Sequence, residues 1–292
     1  MNKATVSLLL VIMTAGLAWA DRGVSETRPL VADGRVEISN ISGKVTVEGW
    51  SGDGVEITGT LGDGVKELDI SSSRDRLRIE VKQEHRRGYS ADAYLTIKMP
   101  VTANLEVETV SADISVDGIH GDVELESVSG HVEVSGEARS LDAASVSGNV
   151  QVTTATGRAE LESVSGNVVV RQATGRLEVG AVSGDIEIEG GNLDALQAET
   201  VSGSIFCQAA PTDRARFSLE SMSGTIEMVI PVTINADIEV ETYSGSIKND
   251  IGPEPIRSDE YGPGKELRFT AGSGGARISI ESFSGSVKIR TN

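Results

Sequence analysis

The sequence has 292 residues, 26 Lys+Arg against 44 Asp+Glu, and a formal net charge of −18. A balance this acidic argues against nucleic acid as a partner, because phosphate binding needs a basic face. One cysteine excludes an internal disulfide framework and any multi-cysteine zinc or iron–sulfur site, three histidines leave little room for a His-built metal centre, and no cofactor is expected.

Residues 1–20 read as an export signal rather than as part of the fold. Lys3 supplies a positive start, an apolar run covers 4–16, and Ala18-Trp19-Ala20 forms a small-residue cleavage site before Asp21. A membrane anchor is the weaker reading, since the run falls short of the ~20 residues a span requires. No later segment is apolar enough to cross a bilayer. The mature chain is therefore expected to be exported, to the periplasm or to the cell exterior and surface, with no membrane span. Residues 21–34 read as an N-terminal linker.

A β-rich N-terminal cap is expected over 35–110. Its strand candidates are 35–39, 44–48, 55–60, 77–82 and 94–98, separated by turns such as Ser51-Gly52-Asp53-Gly54. From 111 to 249 the chain is dominated by a repeated small–apolar–Ser–Gly tetrapeptide. The spacing from Ser111 through Ser129, Ser147 and Ser165 to Ser183 is 18 residues each time, then 19 to Ser202, 21 to Ser223, 21 to Ser244 and 40 to Ser284. Each unit reads as two short strands, because apolar residues alternate with period 2. Stacking the units aligns apolar columns. One runs Ile114, Val132, Val150, Val168, Ile186, and a second Val116, Val134, Val152, Val170, Ile188. A third holds Val123, Leu141, Ala159 and Leu177, and a fourth Leu125, Ala143, Leu161 and Val179. The apolar residue before each Ser (Val110, Val128, Val146, Val164, Val182) is expected to form a fifth inward column. Tyr243 and Phe283 occupy the same place and are expected in the core. The Gly after each Ser marks a tight corner or a close backbone approach. Cys207, two residues after Ile205, is expected to be a buried core thiol.

Residues 250–264 (DIGPEPIRSDEYGPG) read as a Pro/Gly-rich surface loop, and 265–292 as closing strands. The segment 99–114 is echoed by 230–247, so both flanks reuse one Pro-led module. If the 40-residue gap is a single looped-out rung, the rungs from Ser111 to Ser284 make eight steps, roughly 38 Å at ~4.8 Å each. The fold class is all-β: a β-solenoid, β-helix-like, of ~18–21-residue rungs with an N-terminal β cap, which only stacking can stabilise. Parallel coils and stacked hairpins fit the period equally.

The VSG[DN][VI]xV ladder, the stretch MPVTANLEVETVSADI and the closing TAGSGGARISIESFSGSVKIR resemble the bacterial "putative adhesin" family over residues 35–290. The resemblance implies an exported β-solenoid domain of unknown function. It carries over no catalytic or ligand residue.

Outward positions also stack. Glu124, Asp142, Glu160 and Glu178 form one acidic column, the candidate binding face, with Glu126, Ala144, Glu162 and Gly180 two residues on. Like charges about 4.8 Å apart repel, so such a face suits a cation, a divalent ion or a basic polymer, or else serves solubility. A further column holds Asp113, His131, Asn149, Asn167, Asp185 and Ser204, in which Asn149 and Asn167 are expected to form an amide ladder. The recurrent Ser is expected to be a structural hydroxyl or corner contact rather than a nucleophile, since no His or Asp partner recurs with it. His85, in a basic loop, and His120, in a turn, suggest no metal site.

The function read from these features is an exported, non-enzymatic, adhesin-like β-solenoid. It would serve as an envelope or surface binding and scaffold module, engaging an extended partner (a cell-envelope or surface polymer, or another protein) through its repetitive acidic face. Two alternatives stand beside it. One is a carbohydrate-active enzyme of the β-helix type acting on a polysaccharide near 250–264. The other is a structural spacer that forms homo-oligomers through its end rungs.

Overall fold

The computed structural model describes residues 22–84, 91–153, 156–258 and 262–292; the expected signal lies outside them. Among these residues every regular element is a strand. Seven precede the regular coils: β1 (Arg22–Arg28), β2 (Arg35–Asn40), β3 (Gly43–Trp50), β4 (Val55–Leu61), β5 (Val65–Ser72), β6 (Arg76–Gln83) and β7 (Ala93–Pro100). Longer and shorter strands then alternate as β8 (Asn104–Thr109), β9 (Asp113–Asp117), β10 (Asp122–Ser127), β11 (Val132–Ser135), β12 (Ala138–Ser145), β13 (Val150–Thr153), β14 (Thr156–Ser163), β15 (Val168–Arg171) and β16 (Thr174–Ala181). Strands β17 (Ile186–Thr200), β18 (Ile205–Ile230) and β19 (Ala236–Asn249) pass round the corners unbroken, as does the last strand of the chain. The chain closes with β20 (Ile256–Arg257), β21 (Lys265–Ala271) and β22 (Ala276–Thr291).

Pairing is parallel through the body, which selects coils over stacked hairpins. One sheet joins β6, β2, β8, β10, β12, β14 and β16 and continues through segments of β17, β18, β22 and β19. The other joins β7, β3, β9, β11, β13, β15 and β17. Antiparallel strands close the ends: β5 on β6, β4 on β7, and β21 on β19. Residues 22–28, expected as linker, form β1 and pair along their whole length with β4.

The stack does not follow chain order at either end. β2 lies between β6 and β8, and β22 lies between β18 and β19. The last rung is therefore intercalated rather than added on top. The 40-residue gap is the path out through β19 and β21 and back, not one looped-out rung.

Alternation explains the core. In β10, Val123, Leu125 and Ser127 point inward while Asp122, Glu124 and Glu126 face solvent. Four of the five expected columns are buried and in register, and Cys207 is fully buried among them, which pushes its thiol up to about 11. The fifth column is reversed. Val110, Val128, Val146, Val164 and Val182 are 44–48% exposed, and Tyr243 and Phe283 are exposed too. The alternation simply continues past the strand end, so the inward place belongs to the residue before: Thr109, Ser127, Ser145, Ser163 and Ala181 are buried instead, and Thr200 is buried in the same way before the exposed Val201.

Those inward hydroxyls satisfy the corner. Ser145 Oγ accepts from Gly148 N at 2.9 Å and donates to Gly130 O, one rung down, at 3.2 Å. Ser163 repeats this with Gly166 and Gly148, and Thr200 with Gly203 and Gly184. The hydroxyl ladder thus belongs to this residue, while the recurrent Ser of the motif (Ser129, Ser147, Ser165) is exposed. Glycine follows because a Cβ on Gly130, Gly148, Gly166, Gly184 or Gly203 would lie closer than 3.0 Å to the carbonyl of the rung below.

Candidate functional site

The sheet that begins at β6 carries the predicted acidic column on its outer face. Glu124, Asp142, Glu160 and Glu178 are direct neighbours on successive strands. The run extends back to Glu106 and Glu37 and stops at Gln197 and Ser218. It is partly neutralised. Arg35 reaches Glu106 at 3.2 Å and Glu124 at 3.5 Å, and Arg158 reaches Glu160 at 3.3 Å. Asp142 is set among carboxylates: burial, and then the charges of Glu160, Glu124, Glu162 and Glu126, push its carboxyl above the ordinary aspartate value.

That shift has a sign. The folded state binds the Asp142 proton more readily than the unfolded chain, so its charge costs stability at neutral pH, and the cost fades as pH falls through the raised value. Asp142→Asn is expected to stabilise the fold at pH 7 by up to about 1 kcal/mol, the scale of exposed charge pairs. The gain should shrink near pH 4. Urea unfolding at the two pH values measures it, and a gain that grew on acidification would contradict the like-charge account.

Two residues further along each strand lies the feature that sequence reasoning missed. Glu108 and Glu126 flank the exposed Val110 and Val128; up the stack the apolar side chain recurs rung after rung, while Ala144 and Gly180 take the carboxylate place on β12 and β16. Together the two rows line an open groove of about 1410 Å³, running from β6 at one end to β21 at the other, roughly 50 Å at ~4.8 Å per strand. Its apolar row continues through Val146, Val164, Val182 and Val201 to Met222, all exposed. Beyond Met222 come Phe283 and then Tyr243, because β22 is intercalated; their rings stack with centroids 4.9 Å apart and 4° between planes. Of the predicted site residues, Glu124, Asp142, Glu160 and Glu178 stand beside this groove rather than in it. The available signal was phase: counting the alternation through LESVSG without resetting it turns Val128 outward.

The remaining candidates have structural partners. Asp113 Oδ1 accepts from His131 N at 2.9 Å, His131 Nδ1 from Asn149 N at 3.1 Å, Asn149 Oδ1 from Asn167 N at 2.9 Å, Asn167 Oδ1 from Asp185 N at 3.0 Å and Asp185 Oδ1 from Ser204 N at 2.7 Å. The expected amide ladder is therefore a side-chain-to-backbone ladder, each rung capping the next. His120 N donates to Val101 O, and His85 lies outside the described residues. Among the described residues no group of three or more His, Cys, Asp or Glu is placed to hold a metal ion. In the 250–264 segment, Ile256–Arg257 pairs with Glu266 and Lys265, and Asn249 Nδ2 donates to Pro253 O at 2.8 Å.

The Toastrack DUF4097 family profile matches residues 30–290. Among solved structures, a putative adhesin from Parabacteroides merdae is similar at 12% identity, covering 92% of this chain and 99% of that one, with a TM-score of 0.50. A putative adhesin from Parabacteroides distasonis is also 12% identical, over 93% and 98% of the two chains, with a TM-score of 0.45. At that identity the likeness concerns the fold. No curated protein matches the chain.

Proposed function

The chain belongs to the Toastrack DUF4097 family, and on that premise we propose that it is an exported, non-enzymatic binding module that receives an extended partner along its groove. The carrying observation is the apolar row, exposed on rung after rung from Val110 to Tyr243. An unbroken apolar stripe of this length on a soluble chain marks an interaction surface, and one that repeats with the rung suits a partner that is itself extended. The adhesin names of the similar structures support a surface-facing role. Export is supported by Lys3, the apolar run and Ala18-Trp19-Ala20.

The test is co-sedimentation of the mature protein with isolated cell envelopes, at low and high salt, with and without calcium. Two variants accompany it. The first changes Val128, Val146 and Val164 to Thr, which keeps shape and strand preference while removing apolar surface. The second changes Glu124, Asp142, Glu160 and Glu178 to Gln or Asn. About tenfold weaker binding by the first, equivalent to ~1.4 kcal/mol, with unchanged melting, is the expected result. Unaltered binding by the first and loss by the second would move the site to the acidic face. No binding by the parent protein under any condition would end the proposal.

A further inference from the structure

The groove changes character at its C-terminal end. Along β10, β12 and β14 the inward hydroxyl between the two rows is hydrogen-bonded at the corner. On the last three parallel rungs it is not. Ser221, Ser282 and Thr242 are only 4, 4 and 3% exposed, line the groove, and their hydroxyls have no hydrogen-bond partner among the described residues. Beside them the carboxylate row, interrupted earlier by Ala144 and Gly180, becomes continuous. Glu199, Glu220, Glu281, Glu241 and Glu266 are successive neighbours. On the other side stand Met222, Phe283 and Tyr243, exposed by 55, 53 and 64%. The intercalation of β22 assembles all three rows, placing Glu281 between Glu220 and Glu241 and Phe283 between Met222 and Tyr243.

We propose that this end of the groove binds a linear aliphatic polyamine. The inference rests on the groove being a binding surface and adds its ligand chemistry. Charge favours a cation. Arg268 pairs with Glu239 and Glu241 at 2.7 Å each and Lys265 lines the same end, but Glu220 and Glu281 have no ion pair among the described residues. Glu281 is held above the ordinary glutamate value by burial and by Glu220, Glu241 and Glu239, a strain that an ammonium group relieves. Spacing favours a polymethylene chain. Four or five bonds of about 1.5 Å separate successive nitrogens of a polyamine, so its charges recur every ~5–6 Å, close to the ~4.8 Å between carboxylates. An extended peptide repeats its same-side groups only every ~6.6–6.8 Å and falls out of step. The stacked Tyr243 and Phe283 rings offer a surface for cation–π contact and for methylene groups.

Calorimetric titration of the mature protein with spermine at low salt tests this. Saturable binding is expected, weakened at least tenfold in the paired change Glu220→Gln and Glu281→Gln. It should weaken several-fold in Phe283→Ala, and remain unchanged in Glu124→Gln. All four positions are surface-exposed or groove-lining, and thermal melts confirm that the variants fold. Three results overturn the proposal: no spermine binding, equal binding by Phe283→Ala with Mg²⁺ competing charge for charge (simple counterion condensation), or oligolysine displacing spermine at lower concentration, which would make the occupant a polypeptide. Envelope co-sedimentation separates the two readings. Envelope binding without spermine binding removes only the polyamine, whereas spermine binding without envelope binding removes the extended-partner reading.

Discussion

Gly166→Ala is expected to destabilise the solenoid by about 3 kcal/mol or more, the upper range for overpacking. Ser165→Ala, one residue away in the same motif, should stay within about 0.5 kcal/mol of the parent, as exposed substitutions do. The difference follows from the corner. A Cβ on Gly166 would fall on the carbonyl of Gly148, closer than 3.0 Å to backbone atoms that have no freedom to move. Those atoms are fixed from both sides: Gly148 O accepts from Ser163 Oγ at 3.2 Å, and Asn167 N donates to Asn149 Oδ1 at 2.9 Å. The methyl must therefore push adjacent rungs apart or expel a hydroxyl from its ladder. Ser165 only donates its backbone N–H to Val146 O, a bond that alanine keeps. Denaturant unfolding of the two variants gives the comparison; near-equal stabilities would show that the rungs can separate at the corner without cost.

The contrast also marks what the sequence could and could not convey. The 18-residue period and the four aliphatic columns were legible, because a period-2 pattern with repeated Val, Ile and Leu has one economical solution, a stack with those residues inside. The glycine was legible for the right reason, close backbone approach. Val128 points outward because alternation outweighs its hydropathy. Placing Ser127 inside looks unfavourable until its partner, Gly130 N at 2.8 Å, is in view. A buried hydroxyl costs little when bonded and much when not, and single-residue hydropathy cannot register that difference.

The groove depends on that outward turn. With Val128, Tyr243 and Phe283 expected in the interior, the outward columns of each unit's second strand hold only polar and small residues, and Glu124 through Glu178 is the most charged of them. Their register was readable from the period alone. The groove was not, since it needs the outward turn of the valines. Nor was the meeting of Phe283 with Tyr243, since it needs a rung inserted out of chain order. The echo between 99–114 and 230–247 was the trace of that topology. Each module leads the chain past a strand that is already in, or will later enter, the gap: β8 lies against β2, and β19 against β22.

Truncation at residue 275 should consequently abolish folding rather than remove a cap. A rung lying on top of a solenoid could be lost with little effect beyond a fresh edge. β22 is instead the shared neighbour of β18 and β19, paired with Arg216–Ile230 on one side and Ala236–Asn249 on the other. Ile278, Ile280, Val287 and Ile289, each at most 2% exposed, leave with it. At ~2 kcal/mol per buried aliphatic, roughly 8 kcal/mol of apolar burial disappears, comparable to the whole stability of an ordinary domain. The loss spreads, because β21 is held by pairing with β19, and β19 would keep no parallel partner. Closing the gap requires β19 to move one rung onto β18, against the turn at Pro231–Ile234 that now spaces them. Circular dichroism and urea titration of the 22–275 chain should show no cooperative transition, while Ile280→Ala in the full chain should fold and lose about 2–5 kcal/mol. A cooperative transition in the truncated chain near that of the parent would mean that β19 can take the place of β22, and that the intercalated rung is a late addition to a stack already complete without it.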